Sequence, residues 1–296
     1  MKASHFLFLM LINLAWGFNI VPTRWALEEI PPLTAAALRF SLVGLACLPW
    51  LKLVPGQGKM ILAASLFSGV MMFSLNNIAF ATADNVSALA IAGQLGVPFS
   101  LIMAVLFLGE RISWPRMLGI VLAFAGVAWF SFDPRAFADV MPLLLVTGAS
   151  FVYALGTIFL RQIKDVHVLT IQAWVAINAV PPLLLLSLVV EPGAMTALPD
   201  ASAKAWLSVV FSAIASSIIG HAGLAWLLQR YSISLISPLT LIAPLLGVMF
   251  GVLVLETPLT AKMIEGGIVT LIGVLIITVR TAQKSSKPPK PVSTLP

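Results

Sequence analysis

The chain has 296 residues, 60% of them hydrophobic and only 9% charged, with a formal net charge of +6 at pH 7 and a mean hydropathy of +1.04. Soluble domains carry about 25% charged residues, so the composition excludes an ordinary soluble enzyme and specifies an all-α integral membrane protein. A lone Cys47 inside an apolar run excludes a disulfide framework and reads as a small packing residue.

Apolar runs of about 20 residues recur along the chain, each long enough to cross a hydrocarbon core of about 30 Å. They predict ten membrane spans, at 5–27, 33–54, 59–82, 86–108, 115–132, 141–160, 168–190, 204–228, 232–255 and 262–280. Short joints with turn or charge signals separate them: EEIPP at 28–32, PGQGK at 55–59, GER at 109–111, DPR at 133–135 and EPG at 191–193.

Span one is longer than a signal-peptide core and lacks a small-residue cleavage site before EEIPP, so it is expected to stay in place. Its polar residues Asn13, Trp16, Asn19 and Thr23 recur every three or four positions and therefore share one helix stripe. Span two carries Arg39 within LRF; span three carries Ser74, Asn76 and Asn77. Span four has Gln94 between Gly93 and Gly96, then Pro98. Spans six and seven repeat the stripe with Ser150, Tyr153, Thr157 and Arg161, then Thr170, Trp174 and Asn178. Span eight places Ser217 and His221 on one face, with Ser212 and Ser216 close by and Trp226 beyond; span nine has Pro244. Residues 281–296, including KSSKPPKP, read as a basic, disordered cytoplasmic tail.

Lys and Arg set the orientation. With the N-terminus in the cytoplasm, twelve of the 17 cationic residues fall on the inside and four (Arg24, Arg135, Lys204, Lys262) outside, with Arg39 within a span. The positive-inside rule then puts both termini in the cytoplasm, and the net charge is a topology signal with no nucleic-acid partner behind it.

The spans also repeat. Leu95, Pro98, Met103 and Glu110 are matched at identical spacing by Leu241, Pro244, Met249 and Glu256. Gly119 and Gly126 correspond to Gly266 and Gly273, and WGFNIVPTR at 16–24 aligns with YALGTIFLR at 153–161. Two halves follow, a first repeat over 5–132 and a second over 141–280. Five spans per half is odd, so homologous halves lie in inverted topology, an architecture of secondary transporters.

The early WG of Trp16 and Gly17, the LRF of 38–40, the Pro98-to-GER arrangement with its following glycines and the Pro244-to-Glu256 echo resemble the drug/metabolite transporter superfamily, in particular its ten-helix EamA branch. The resemblance covers residues 5–280, and within the family the chain looks most like the YddG-type amino-acid exporters. It implies two five-helix EamA units and export of amino acids or related metabolites across the inner membrane of a bacterium.

Polar stripes facing lipid would leave donors unsatisfied, so they should face each other around a cavity. The candidate lining is Trp16, Asn19, Asn77, Gln94, Tyr153, Trp174, Asn178, His221 and Trp226, although each amide could equally bridge helices and each Ser or Thr could bond its own backbone. Arg39 is either a structural partner for a helix end or for Glu28, or an anchor for a substrate carboxylate; His221 is either a proton carrier or a neutral wall residue. Pro98 and Pro244 are candidate hinges or fixed kinks, and Glu110 and Glu256 are expected to cap spans five and ten.

No Asp or Glu occupies the middle of a span, which disfavours a proton-coupled exporter of cationic drugs. His5, His167 and His221 are far apart, and the chain has no metal-ligand motif, nucleophile elbow or phosphate-binding glycine loop, so no enzyme activity, metal or cofactor is expected. The expectation is a carrier, functional as a monomer in membrane lipid, for an amino acid or similar small molecule by facilitated transport or uniport. A drug/metabolite antiporter or a lipid-linked solute flippase of the same superfamily is the alternative.

Overall fold

A computed structural model describes residues 1–82, 93–131, 140–256 and 259–285. Among these residues every regular element is helical. Seven helices are long and apolar enough to cross a membrane: Ala3–Leu27, Pro32–Trp50, Gly58–Ala79, Val140–Gln162, Val168–Val190, Ala203–Leu228 and Ile233–Val254. Shorter apolar helices, Gly96–Leu108 and Trp114–Trp129, occupy the predicted spans four and five. The start of span four, with Leu89 just beyond it, and the DPR joint lie outside the described residues. The last helix, Ala261–Ser285, continues past the predicted end of span ten.

Proline sets the breaks. Helix α1 (Ala3–Phe18) meets α2 (Ile20–Leu27) at Asn19, because Pro22 cannot donate to the carbonyl of Phe18 four residues earlier and its ring crowds that carbonyl. Helix α3 (Pro32–Cys47) starts with proline at its first position, where no amide donor is needed. Span three runs as α4 (Gly58–Ser65), a π-helical stretch at Leu66–Met71, then α5 (Met72–Thr82). Pro98 sits inside α6 (Gly96–Leu108), with the break at Leu95, and Pro244 sits inside α13 (Ile242–Val254), with the break at Thr240–Leu241 after α12 (Ile233–Leu239). The two prolines thus interrupt their spans at matching places.

The remaining helices are α7 (Trp114–Ser131), α8 (Val140–Gln162) and α9 (Val168–Val190). Span eight begins as α10 (Ala203–Phe211), passes through a π-helical stretch at Ser212–Ala222 and ends as α11 (Gly223–Leu228); the final helix is α14 (Ala261–Ser285). The π-helical stretches fall in spans three and eight, which correspond under the sequence repeat. Such segments put side chains on irregular faces and recur at functional sites.

The helices pair in a pattern that also follows the repeat. Helix α7 packs on α14 and α3 on α9, while span three lies against α8 as span eight lies against span one. Without a hydrophobic force between apolar helices in lipid, close packing of small residues drives such pairing. At α7–α14 the repeated glycines form the seam: a Cβ on Gly119 would lie 2.8 Å from the carbonyl of Gly273, and one on Gly126 would strike Thr270 and the carbonyl of Gly266. Leu106 and Val189, 71% and 72% exposed, belong to the outward apolar surface that a bilayer would cover.

Polar side chains at the helix ends join one half to the other. The Glu191 carboxylate accepts from Leu33 N (2.6 Å), Thr34 N (2.9 Å) and Thr34 Oγ1 (2.8 Å), capping α3. Glu29, exposed in the joint, accepts from Ser202 N and Oγ, both at 2.6 Å, at the start of α10. These two hydrogen bonds hold its carboxyl below the usual carboxylate range. Gln57 and the Lys164 backbone exchange two bonds of 2.8 and 3.0 Å where span six ends beside span three.

Glu110 is a cap, but not of span five. Its carboxylate accepts from Ile233 N and Ser234 N, both at 2.9 Å, and so caps α12 in the other half. Gly109, at φ +63°, ends α6 in a left-handed turn, and the carboxylate that follows it reaches α12. The expected Glu256 cap of span ten is replaced by Thr260, whose Oγ1 accepts from Met263 N at 3.3 Å.

Candidate functional site

A half-open pocket lies between the end of span one and spans two, three and eight. Its polar lining is Thr23, Arg39, Asn77 and Ser212; Ala26, Leu27, Pro32, Ala35, Ala36, Phe73 and Val209 complete the wall. Apolar walls with a few converging polar groups are what small-molecule sites are made of.

Arg39 is the charged member. Its Nε donates to Ser217 Oγ at 2.7 Å and its Nη2 to Ser216 Oγ at 3.0 Å, while the guanidinium carbon stands 5.5 Å from the centre of the Phe73 ring. Both hydroxyls belong to the π-helical stretch of span eight, which brings successive serines to one side. Among the described residues the one ion pair is Arg24–Glu28 at 3.7 Å, so Arg39 is not bound to Glu28. Its partners fix the guanidinium plane, and no counter-charge meets it among the described residues.

Below Arg39 an aromatic group continues inward. Phe73 meets His221 edge-on at 6.0 Å, and His221 lies 5.2 Å from Trp16. The Trp16 indole donates to Ser216 O at 3.1 Å and lies over Gly220, where any Cβ would collide with the ring nitrogen. Glycine is required there by that close approach. Asn77, which also lines the pocket, donates from Nδ2 to Phe73 O at 2.8 Å, so its amide oxygen is not used by that bond. Asn19 donates to Thr23 Oγ1 at 3.0 Å, and its own Oδ1 is buried without a partner.

The other sequence candidates lie elsewhere. Tyr153 and Gln94 are half-buried where α8 crosses span four: Gly96 approaches the Tyr153 ring, and Ser150 Oγ donates to Gly93 O at 3.1 Å. The Trp174 indole donates to Lys52 O at 3.1 Å, tying α9 to the chain leaving span two. Asn178, one turn further along α9, is half-buried. Trp226 is at the opposite end of span eight from the pocket. There it stacks under Arg230 at 4.0 Å and meets His5 at 4.7 Å and Phe8 at 5.7 Å. His5 Nδ1 and the Tyr231 hydroxyl are 2.8 Å apart in the same group.

Sequence reasoning missed Phe73 and the small wall residues Ala35 and Ala36. Phe73 lies one helical turn before Asn77, so the polar stripe of span three pointed at its face, but a phenylalanine in an apolar helix carries no signal of its own. No group of His, Cys, Asp or Glu suited to a metal ion occurs among the described residues.

The pocket can accept a small molecule bearing one anionic or hydrogen-bond-accepting group, and the rings of Phe73, His221 and Trp16 follow one another beneath it. The geometry has relatives. The chain is 27% identical to a "Probable amino-acid metabolite efflux pump" of Escherichia coli (strain K12) over 90% of this chain and 92% of that protein. It is 25% identical to an "Uncharacterized transporter" of Archaeoglobus fulgidus over 88% of this chain and 94% of the relative. A solved crystal structure of a protein superposes with a TM-score of 0.77 at 17% identity, covering 95% of this chain and 100% of the other, which establishes a shared fold. The model of the EamA-like transporter family matches residues 4–132 and 140–279, nearly the whole length, and the chain is therefore a multi-pass membrane protein of the EamA-like transporter family.

Proposed function

We propose that this protein is a secondary carrier of the inner membrane that exports amino acids or related small metabolites by alternating access, without proton coupling. The observation that carries this reading is the contrast between the two ends of spans one and eight: a pocket at one end and the His5–Trp226–Tyr231 group at the other. A site open to one face and shut to the other is one of the two states such a carrier needs. The pairing of helices along the repeat supports inverted halves, and the excess of Lys and Arg on the inner segments supports both termini in the cytoplasm, so that the pocket opens outward.

Trp16, Asn19, Asn77 and His221 form the inner wall of the pathway in this reading. Gln94 of the first repeat and Tyr153 and Asn178 of the second complete the path when the molecule opens inward in this reading. The kinks at Pro98 and Pro244 let each half bend. Uncoupled transport fits a pocket lining that holds no carboxylate among the described residues. The name given to the Escherichia coli relative supports amino-acid metabolites as cargo.

The test is counterflow into liposomes holding the purified protein, with a panel of labelled amino acids and with or without an imposed pH gradient. Exchange independent of the gradient and lost in Trp16→Ala is expected. No exchange of any amino acid would reject the substrate class, and exchange only with the gradient would reject the uncoupled mechanism.

A further inference from the structure

Resting on the reading of this chain as a small-metabolite carrier, we propose that the Arg39 pocket recognises its cargo by a carboxylate alone, so that 2-oxo acids lacking an amino group are carried alongside amino acids.

A guanidinium has five N–H donors. Two of those on Arg39 are used by Ser217 and Ser216, and no acceptor takes the others among the described residues. A charged arginine inside a membrane helix is costly to insert, and such residues are normally paired or placed at a functional cavity. The two serine hydroxyls are neutral: they orient the fork without cancelling its charge. The Phe73 face adds a weak attraction of the cation to the ring. What remains is a pre-oriented cation at a pocket wall, half of a fork-to-carboxylate pair.

The rest of the lining says what the other end of the cargo needs. A zwitterion binder that demanded the ammonium would place a carboxylate opposite the arginine. Among the described residues no Asp or Glu lines this pocket. An ammonium would find the Asn77 amide oxygen and the hydroxyls of Thr23 and Ser212, all neutral, while sharing the pocket with an unneutralised cation. Those acceptors offset little of its desolvation, and the Arg39 field opposes it. A 2-oxo group avoids both penalties. The Ala26, Ala35, Ala36, Pro32 and Val209 wall takes a branched aliphatic body regardless of what the α-carbon carries.

The test uses wild-type proteoliposomes exchanging labelled leucine, with unlabelled leucine, 4-methyl-2-oxopentanoate, leucinamide and isopentylamine as competitors. The oxo acid is expected to compete within about tenfold of leucine, and the amide and the amine at least about thirtyfold more weakly, the loss of a charge-assisted bidentate contact. Arg39→Lys should retain weakened competition by both acids and Arg39→Gln should lose it. Ala35→Asp supplies an internal counter-charge without touching the serine contacts, and should also abolish acid competition. Leucinamide competing as well as leucine, or leucine competing while the oxo acid does not, would overturn the proposal. If the wild type exchanges no amino acid at all, the carrier reading fails separately. The pocket is then read by thermal stabilisation of the purified protein: a rise with both acids that Ala35→Asp removes sustains it, and no rise overturns it.

Discussion

Spans one and eight run side by side through the molecule, yet their two ends are built differently. At one end Ala26 and Val209 pack in one buried cluster, and the pocket lined by Thr23 and Ser212 opens beside them toward spans two and three. At the other, His5 and Phe8 close on Trp226 and Tyr231 through ring contacts and a 2.8 Å polar contact. Between them Trp16 rests on Gly220 and holds Ser216. The same pair of helices thus touches at both ends, with a pocket beside it at one and an aromatic group at the other, and one tight contact between. In the proposed carrier a turn about Trp16 would exchange the two ends, and the close glycine seam of α7 and α14 is the contact least able to give.

The largest effect is expected at the midpoint. Gly220→Leu would force the Trp16 indole out of its seat, an overpacking cost of about 3 kcal/mol. Leucine counterflow should be lost and the thermal midpoint in detergent should fall together. A variant with full transport would show that the two ends do not turn about this contact.

Next comes the closed end. Trp226→Ala removes the ring on which Arg230, His5 and Phe8 converge. If the aromatic group holds one state, its loss shifts the population toward the other by its differential contact energy, about 1–2 kcal/mol, or roughly tenfold. The readout is modification of a Thr23→Cys reporter by a membrane-impermeant maleimide, against a background in which native Cys47 is buried. Labelling should drop in the double variant, and unchanged labelling would separate the plug from the pocket.

How much of this was legible in the sequence follows from what each signal measures. Hydropathy found the spans because a bilayer demands length and apolarity, and the glycine and proline repeats found the matching kinks because those residues act through backbone geometry. Trp16, Asn77 and His221 were visible because polar residues in lipid need a reason. Trp174 and Trp226 gave the same signal for another purpose: one ties a helix to a carbonyl of the next joint and the other closes an end. Periodicity assigns a residue to a face but not to a depth. The Glu110 cap was read to the wrong helix because sequence proximity favours the next span, while the carboxylate is used by α12, more than a hundred residues away.

A smaller effect is expected from these cross-half caps. Glu191→Ala would strip Leu33 N, Thr34 N and Thr34 Oγ1 of their acceptor, costing about 2 kcal/mol for partly buried donors. Glu110→Ala removes two acceptors and should cost about 1 kcal/mol, near the usual value for a lost helix cap. Thermal midpoints of the two variants against wild type check the order, and equal midpoints would mean that the caps orient the helices without stabilising them.

The smallest effect belongs to Glu29, which lies at the open end and is exposed. Ser202 donates two hydrogen bonds to its ionised form, so its pKa in the folded protein lies below the value in the unfolded chain. A depressed carboxylate contributes stability that is present above the unfolded pKa, about 4.3 for glutamate, and is lost as pH falls through the lower folded value. The wild type should thus be slightly more stable than Glu29→Gln at neutral pH, and the two melting curves should converge only in the acid range below that value. Because the contact spans the gap between the end of span one and the start of α10, protonation should also loosen the open end and leave the aromatic end unchanged. Thr23→Cys labelling, taken relative to a free thiol at the same pH, that rises on acidification in wild type but stays level in Glu29→Gln would assign the loosening to this one carboxylate.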